Sequence, residues 1–172
     1  MGNTPAPPDP SVPNAAEEVR RVGLAIDVAV ANIAAGGGPF GAVIVAADGT
    51  IVATGGNRVT ASLDPTAHAE VTTIRAACQA IGDFALQGHV LYSSCEPCPL
   101  CLAACLWARL DGVVYAADRH SAHRAGFDDR VFHELIRTVR DAPWPMRVAR
   151  AEHPRGEEPF DVWRQHEERT DY

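Results

Sequence analysis

Two runs rich in β-branched residues, AVIVAA at 42–47 and IVAT at 51–54, flank Asp48-Gly49. An Asp-Gly step between such runs predicts a β-hairpin, because glycine accepts the positive φ that a tight turn demands. The hairpin starts a sheet, and the rest of the chain has to extend or cover it. Residues 64–81 read as a helix opened by Asp64-Pro65-Thr66, and HVLYSS at 89–94 as a buried strand. Residues 98–109 read as a helix and GVVYAA at 112–117 as a strand. A helix over 128–140, a short strand around 146–149 and a terminal helix from Phe160 complete the chain. Ahead of the hairpin, Asn14 is placed to cap a helix whose apolar positions include Val19, Val22, Ala25 and Ile33. Gly36-Gly37-Gly38-Pro39 stops that helix after Ala35. Helices alternating with strands after an opening hairpin predict an α/β fold, a three-layer α/β/α sandwich with a five-stranded mixed sheet.

At 172 residues one domain is expected. Residues 1–13 hold five of the thirteen prolines, a composition that gives a Pro-rich leader with no packing role. The domain therefore begins near residue 14. All 15 basic residues are arginine, and against 22 acidic ones they leave a net charge of −7. The absence of lysine excludes Schiff-base catalysis, pyridoxal attachment and a Walker phosphate loop. The acidic balance argues against a polybasic nucleic-acid or membrane-surface binder. No apolar run approaches the ~18 residues of a membrane span. The residues after Met1 lack the basic and apolar regions of a secretory signal, so a cytoplasmic location is expected. In a reducing compartment, five cysteines point to metal binding or catalysis ahead of disulfides.

The chemistry is concentrated in two segments, PTAHAE at 65–70 and CEPCPLC at 95–101. Cys98 and Cys101, three apart, share one face of a helix. Pro99 suits the first helical position, which makes Cys98 the N-cap, where the helix dipole favours thiolate. His68 offers a third ligand. Three protein ligands leave a tetrahedral zinc one open position, the mark of a catalytic site. Glu70 converges with His68 only if His68 lies at a still-extended helix start, where i and i+2 share a side. A carboxylate there can take a proton from water and return it to a leaving amine. His-x-Glu followed by Pro-Cys-x-x-Cys is the signature of zinc deaminases acting on nucleobases. On spacing alone, Cys95 remains open as a fourth ligand of a closed structural site, and the Cys-x-x-Cys pair remains open as a redox dithiol. Cys78 and Cys105 read as apolar helix residues. The six other histidines show no comparable partner pattern.

With these residues, the chain resembles the cytidine deaminase superfamily, and within it the bacterial guanine deaminase branch. The likeness runs from about Gly38 to Tyr172 and includes GPFGAVIV at 38–45, DPTAHAEV at 64–71, SCEPCP at 94–99 and AGFDD at 125–129. It implies a cytidine deaminase-like fold and hydrolysis of guanine to xanthine and ammonia in purine breakdown. His68, Cys98 and Cys101 would hold zinc and Glu70 would shuttle the proton. Asn57 would hydrogen-bond the purine, Phe40 would line its pocket, and Asp129 and Tyr172 would recognise the base or handle the ammonia. It further implies a homodimer in which the C-terminal segment, 157–172, is swapped onto the partner's active site. The deaminase domain proper then spans 14–156. Competing readings are a deaminase of a related substrate (guanosine, ammeline or a cytosine-type base), a tRNA-editing adenosine deaminase and a zinc-stabilised binding module. A mixed-to-acidic tail from Glu157 to Asp171 disfavours RNA.

Overall fold

The computed structural model describes residues 15–137, Met146, Arg155 and residues 157–170. Helix α1 (Ala15–Ala34) precedes strands β1 (Gly41–Ala46) and β2 (Ile51–Gly56), a short α2 (Val59–Ser62) and α3 (Ala69–Ile81). Next come β3 (His89–Cys95), α4 (Pro99–Trp107), β4 (Gly112–Ala117), α5 (Arg119–Arg124), α6 (Arg130–Arg137) and α7 (Glu158–Gln165). The hairpin forms at the expected place. Gly49 takes φ +90°, and Asp48 Oδ1 accepts from the Thr50 amide at 2.9 Å.

The sheet order is β2-β1-β3-β4. β1 is antiparallel to both neighbours and β3 is parallel to β4, so the sheet is mixed. Among the described residues it has four strands, not the expected five. Of the segment assigned to the fifth, 146–149, only Met146 is described, and it lies in a bend. The Asn14 cap, the leader 1–13, residues 138–140 of the expected helix and Tyr172 also lie outside the described residues.

Strand alternation divides the core into two layers. Ala42, Ile44 and Leu91 face α3 and α4, packing with Ala69, Ile74, Ala77 and Cys105. Val43, Val45 and Tyr92 face α1, packing with Val22 and Ala25. β1 is buried on both faces, and full burial of each Val or Ile stabilises by about 1.5–3 kcal/mol. Arg21 closes the α1 layer by donating to the Tyr92 hydroxyl at 3.1 Å. A β-carbon on Gly41 would come within 2.4 Å of the α1 backbone, so only glycine lets the sheet and helix meet there.

The helix expected from Asp64 starts at Ala69. Asp64 Oδ1 accepts from the Thr66 amide at 2.8 Å and its hydroxyl at 2.6 Å, closing a local turn that displaces the first helical turn. The register brings the start of β1 and the ends of β2, β3 and β4 to one edge of the sheet, with the starts of α3 and α4. Among the described residues no helix is long and apolar enough to cross a membrane.

Candidate active site

At that edge lies a cavity of about 420 Å³. His68 and Cys98 are the N-caps of α3 and α4, both extended, with ψ of 158° and 168°. Pro99 opens α4, since a proline at the first helical position forfeits no hydrogen bond. The extended His68 lets Glu70, in the first turn of α3, turn to the same side. His68 Nδ1 lies 3.5 Å from Cys98 Sγ and 3.4 Å from Cys101 Sγ, and the two sulfurs are 3.5 Å apart. Among the described residues these three form a group able to hold a metal ion. One imidazole and two thiols suit zinc. Ligands at about 2.0–2.3 Å around a tetrahedral ion are separated by roughly 3.5–3.8 Å, close to the spacings here.

The electrostatics follow from burial and the helix ends. Cys98 is held well below the usual thiol range, first by its contact with Cys101 and then by that with His68. Cys101 is pushed up by its contact with Cys98 and by burial beside Glu70. His68 is raised by its contact with Cys98. Glu70 is 6% exposed, and burial raises its pKa. Its carboxylate accepts from Ser93 Oγ at 3.2 Å and from Cys101 Sγ at 3.3 Å.

Cys95 stands apart from this group. Its thiol points to the Asp118 carbonyl at 3.7 Å, and burial pushes its pKa up to about 11. Cys105 is buried in the core and raised to about 12 in the same way.

Asn57, Phe40 and Asp129 all line the cavity with His68, Glu70 and Cys98. Asn57 follows β2 and accepts from the Val59 amide at 3.3 Å. Phe40 meets Phe127 edge to face, 5.0 Å between ring centres. Asp129 Oδ1 and His133 Nε2 are buried without a hydrogen-bond partner, although His133 Nε2 is 3.4 Å from Asp129 Oδ2.

Two further residues, Phe127 and Glu96, line the cavity, and His133 lies against Asp129. Phe127 was signalled by its place in the Gly-Phe-Asp-Asp segment. His133 was signalled by its i,i+4 spacing from Asp129. Glu96 had no local signal, because its partner Arg119 is remote in sequence: the Arg119 amide and Nε donate to Glu96 Oε2 at 3.0 and 2.9 Å. Near the cavity, Arg124 is engaged with Ser121 at 2.8 Å and Arg130 with Asp128 at 2.7 Å.

The sequence profile of the cytidine and deoxycytidylate deaminase zinc-binding region matches residues 17–117. The chain is 47% identical to a guanine deaminase of Bacillus subtilis over 151 residues, 86% of this chain and 94% of that one. The solved structure of guanine deaminase from Bacillus subtilis superposes with a TM-score of 0.83 at 44% identity, covering 90% of this chain and 98% of that one. A tRNA-specific adenosine deaminase of Agrobacterium fabrum is 47% identical over only 79 residues, 46% of this chain and 51% of its own.

Proposed function

The chain belongs to the cytidine and deoxycytidylate deaminase family, and from that premise we propose that it is a zinc-dependent aminohydrolase converting guanine and water to xanthine and ammonia. The observation that carries the chemistry is the meeting, at one cavity, of a His-Cys-Cys donor group and the buried carboxylate of Glu70. The preference for guanine rests on similarity to the Bacillus subtilis enzyme along nearly its full length.

His68, Cys98 and Cys101 hold the zinc. When bound, zinc supplies a Lewis acid able to lower the pKa of a water from 15.7 to about 7. Glu70 receives the proton that water loses as its oxygen bonds to the amine-bearing ring carbon, and passes it to a ring nitrogen. It then carries the second proton to the amine, which leaves as ammonia. Burial favours the protonated carboxyl between these transfers, and Ser93 orients one of its oxygens. Asn57 hydrogen-bonds the base, Phe40 forms an apolar wall with Phe127, and Asp129 reads a ring edge or receives the ammonia.

Residues 1–13 precede a deaminase domain spanning 14–156. A homodimer goes with the family, its C-terminal segment 157–172, including Tyr172, closing the second copy's cavity. That arrangement is supported by α7, in which no residue is buried and Phe160 and Val162 are exposed. A cytoplasmic location fits the same reading.

The test is ammonia release by zinc-loaded protein given guanine, guanosine, adenine, cytosine, cytidine, ammeline or adenosine-bearing RNA. Release from guanine above all others is expected. Release from RNA or cytidine with none from guanine overturns the substrate and leaves the reaction class standing.

A further inference from the structure

We propose that Asn32, outside the cavity, is a positioning residue that sets the height at which Asn57 meets the base. The proposal rests on the guanine-deaminase reading above. Asn32 sits in the last turn of α1 and is 8% exposed. Its amide has two N–H donors, and both are used on the loops of the cavity: Nδ2 donates to the Gly38 carbonyl at 2.8 Å and the Asn57 carbonyl at 2.9 Å. One side chain thus ties together two backbone segments, 19 positions apart in sequence, that line the cavity, one just before the hairpin and one just after it.

The surroundings are cut to this amide. A β-carbon on Gly37 would come 2.3 Å from Asn32 Nδ2, and one on Gly56 would come 2.4 Å from its Cγ and Oδ1. Neither contact leaves room for a methyl group, so glycine on both sides is what lets the brace sit there. Asn57 is then held at three points. Its amide donates to the Phe40 carbonyl at 3.0 Å, its carbonyl accepts from Asn32, and its Oδ1 accepts from the Val59 amide. Of these, the bond from Asn32 is the one made by a side chain of another layer. Its loss frees Asn57 and the Gly38 loop together while leaving His68, Glu70 and the cysteines on their own helices.

The experiment compares zinc-loaded wild type, Asn32→Asp and Gly56→Ala, each also on an Asn57→Ala background, in steady-state kinetics on guanine with zinc content measured alongside. Asn32→Asp keeps the shape but turns an acceptor toward two carbonyls. Gly56→Ala keeps Asn32 and displaces it. In each, KM for guanine rises about tenfold while kcat stays within about threefold, as for a lost ground-state contact. Zinc content is unchanged. On the Asn57→Ala background either substitution adds less than about twofold, because the reader it positions is gone. Should Asn32→Asp fail to fold, Gly56→Ala alone decides. A fall in kcat or zinc content with KM unchanged, or effects that multiply with Asn57→Ala, overturns the proposal. A wild type that binds zinc yet releases no ammonia from guanine overturns the substrate reading, and this proposal with it. Wild-type turnover with unchanged KM in both variants overturns this proposal alone.

Discussion

The floor and the rim of the cavity are built by different forces. The floor, His68, Glu70, Cys98 and Cys101, stands on the first turns of two helices packed against the buried strands β1 and β3. Cys101 is 1% exposed and Glu70 6%. To move either group the core has to repack. The rim, Phe127 to Asp129 with α5 and α6, is largely exposed and laced by polar contacts such as the ion pair of Asp128 with Arg130 and the approach of His123 to the same carboxylate. Water competes for such pairs and screens them, so each contributes little to stability. In the proposed mechanism, the proton-transfer and metal-donor groups therefore stand on parts that tolerate little change, whereas Asp129 stands on a part that tolerates much.

The sharpest way to break this contrast is at the floor. Glu70→Gln keeps the shape and loses the proposed proton carrier, so kcat on guanine should fall roughly 10³-fold with zinc content unchanged by metal analysis. Turnover near wild type would remove Glu70 from the mechanism. At the inner rim, Asp129→Asn keeps the volume of a carboxylate whose Oδ1 has no protein partner. We expect kcat/KM on guanine to drop about 10- to 100-fold while the melting temperature holds, because no protein hydrogen bond to that oxygen is lost. At the outer rim the effect is smallest. The hydrogen bond from Arg130 holds the Asp128 carboxyl below its ordinary value of 3.8. A depressed folded pKa gives stability that is present above the unfolded value and lost as pH falls through the folded one. Asp128→Asn should therefore lower the melting temperature by no more than about 1–2 °C at pH 7. The difference between wild type and variant should begin to shrink once pH falls below 3.8 and should vanish only below the depressed folded value, and it should shrink in high salt at any pH. A larger shift at neutral pH would mean that the rim is structural after all.

Much of the floor is legible in the chain alone. The spacing of Cys98 and Cys101, and Pro99 between them, announces a helix start with two thiols on one side. The requirement that His68 be extended follows from its distance of two residues from Glu70. Cys95 shows where local pattern stops: it forms the same Cys-x-x-Cys spacing with Cys98, and only packing turns its thiol toward Asp118. The rim is harder to read. Arg119, Arg124 and Arg130 look alike in sequence, yet each has a different partner. α2 and α5 pass unread because helices of 4 and 6 residues carry too few turns for a hydrophobic period.

Local sequence was enough for the hairpin, the strand–helix alternation and the choice of candidate metal donors, because turn chemistry, side-chain period and ligand spacing act over a few residues. The closeness of His68 to Cys98, 30 positions apart, depended on β3 lying against β1 so that two helix starts share an edge. The brace from Asn32 to Asn57 and the pairing of Glu96 with Arg119 depended likewise on long-range register. Such contacts carry no periodic trace in the chain, since each is made by one residue from each of two distant segments, and only the folded sheet brings them together.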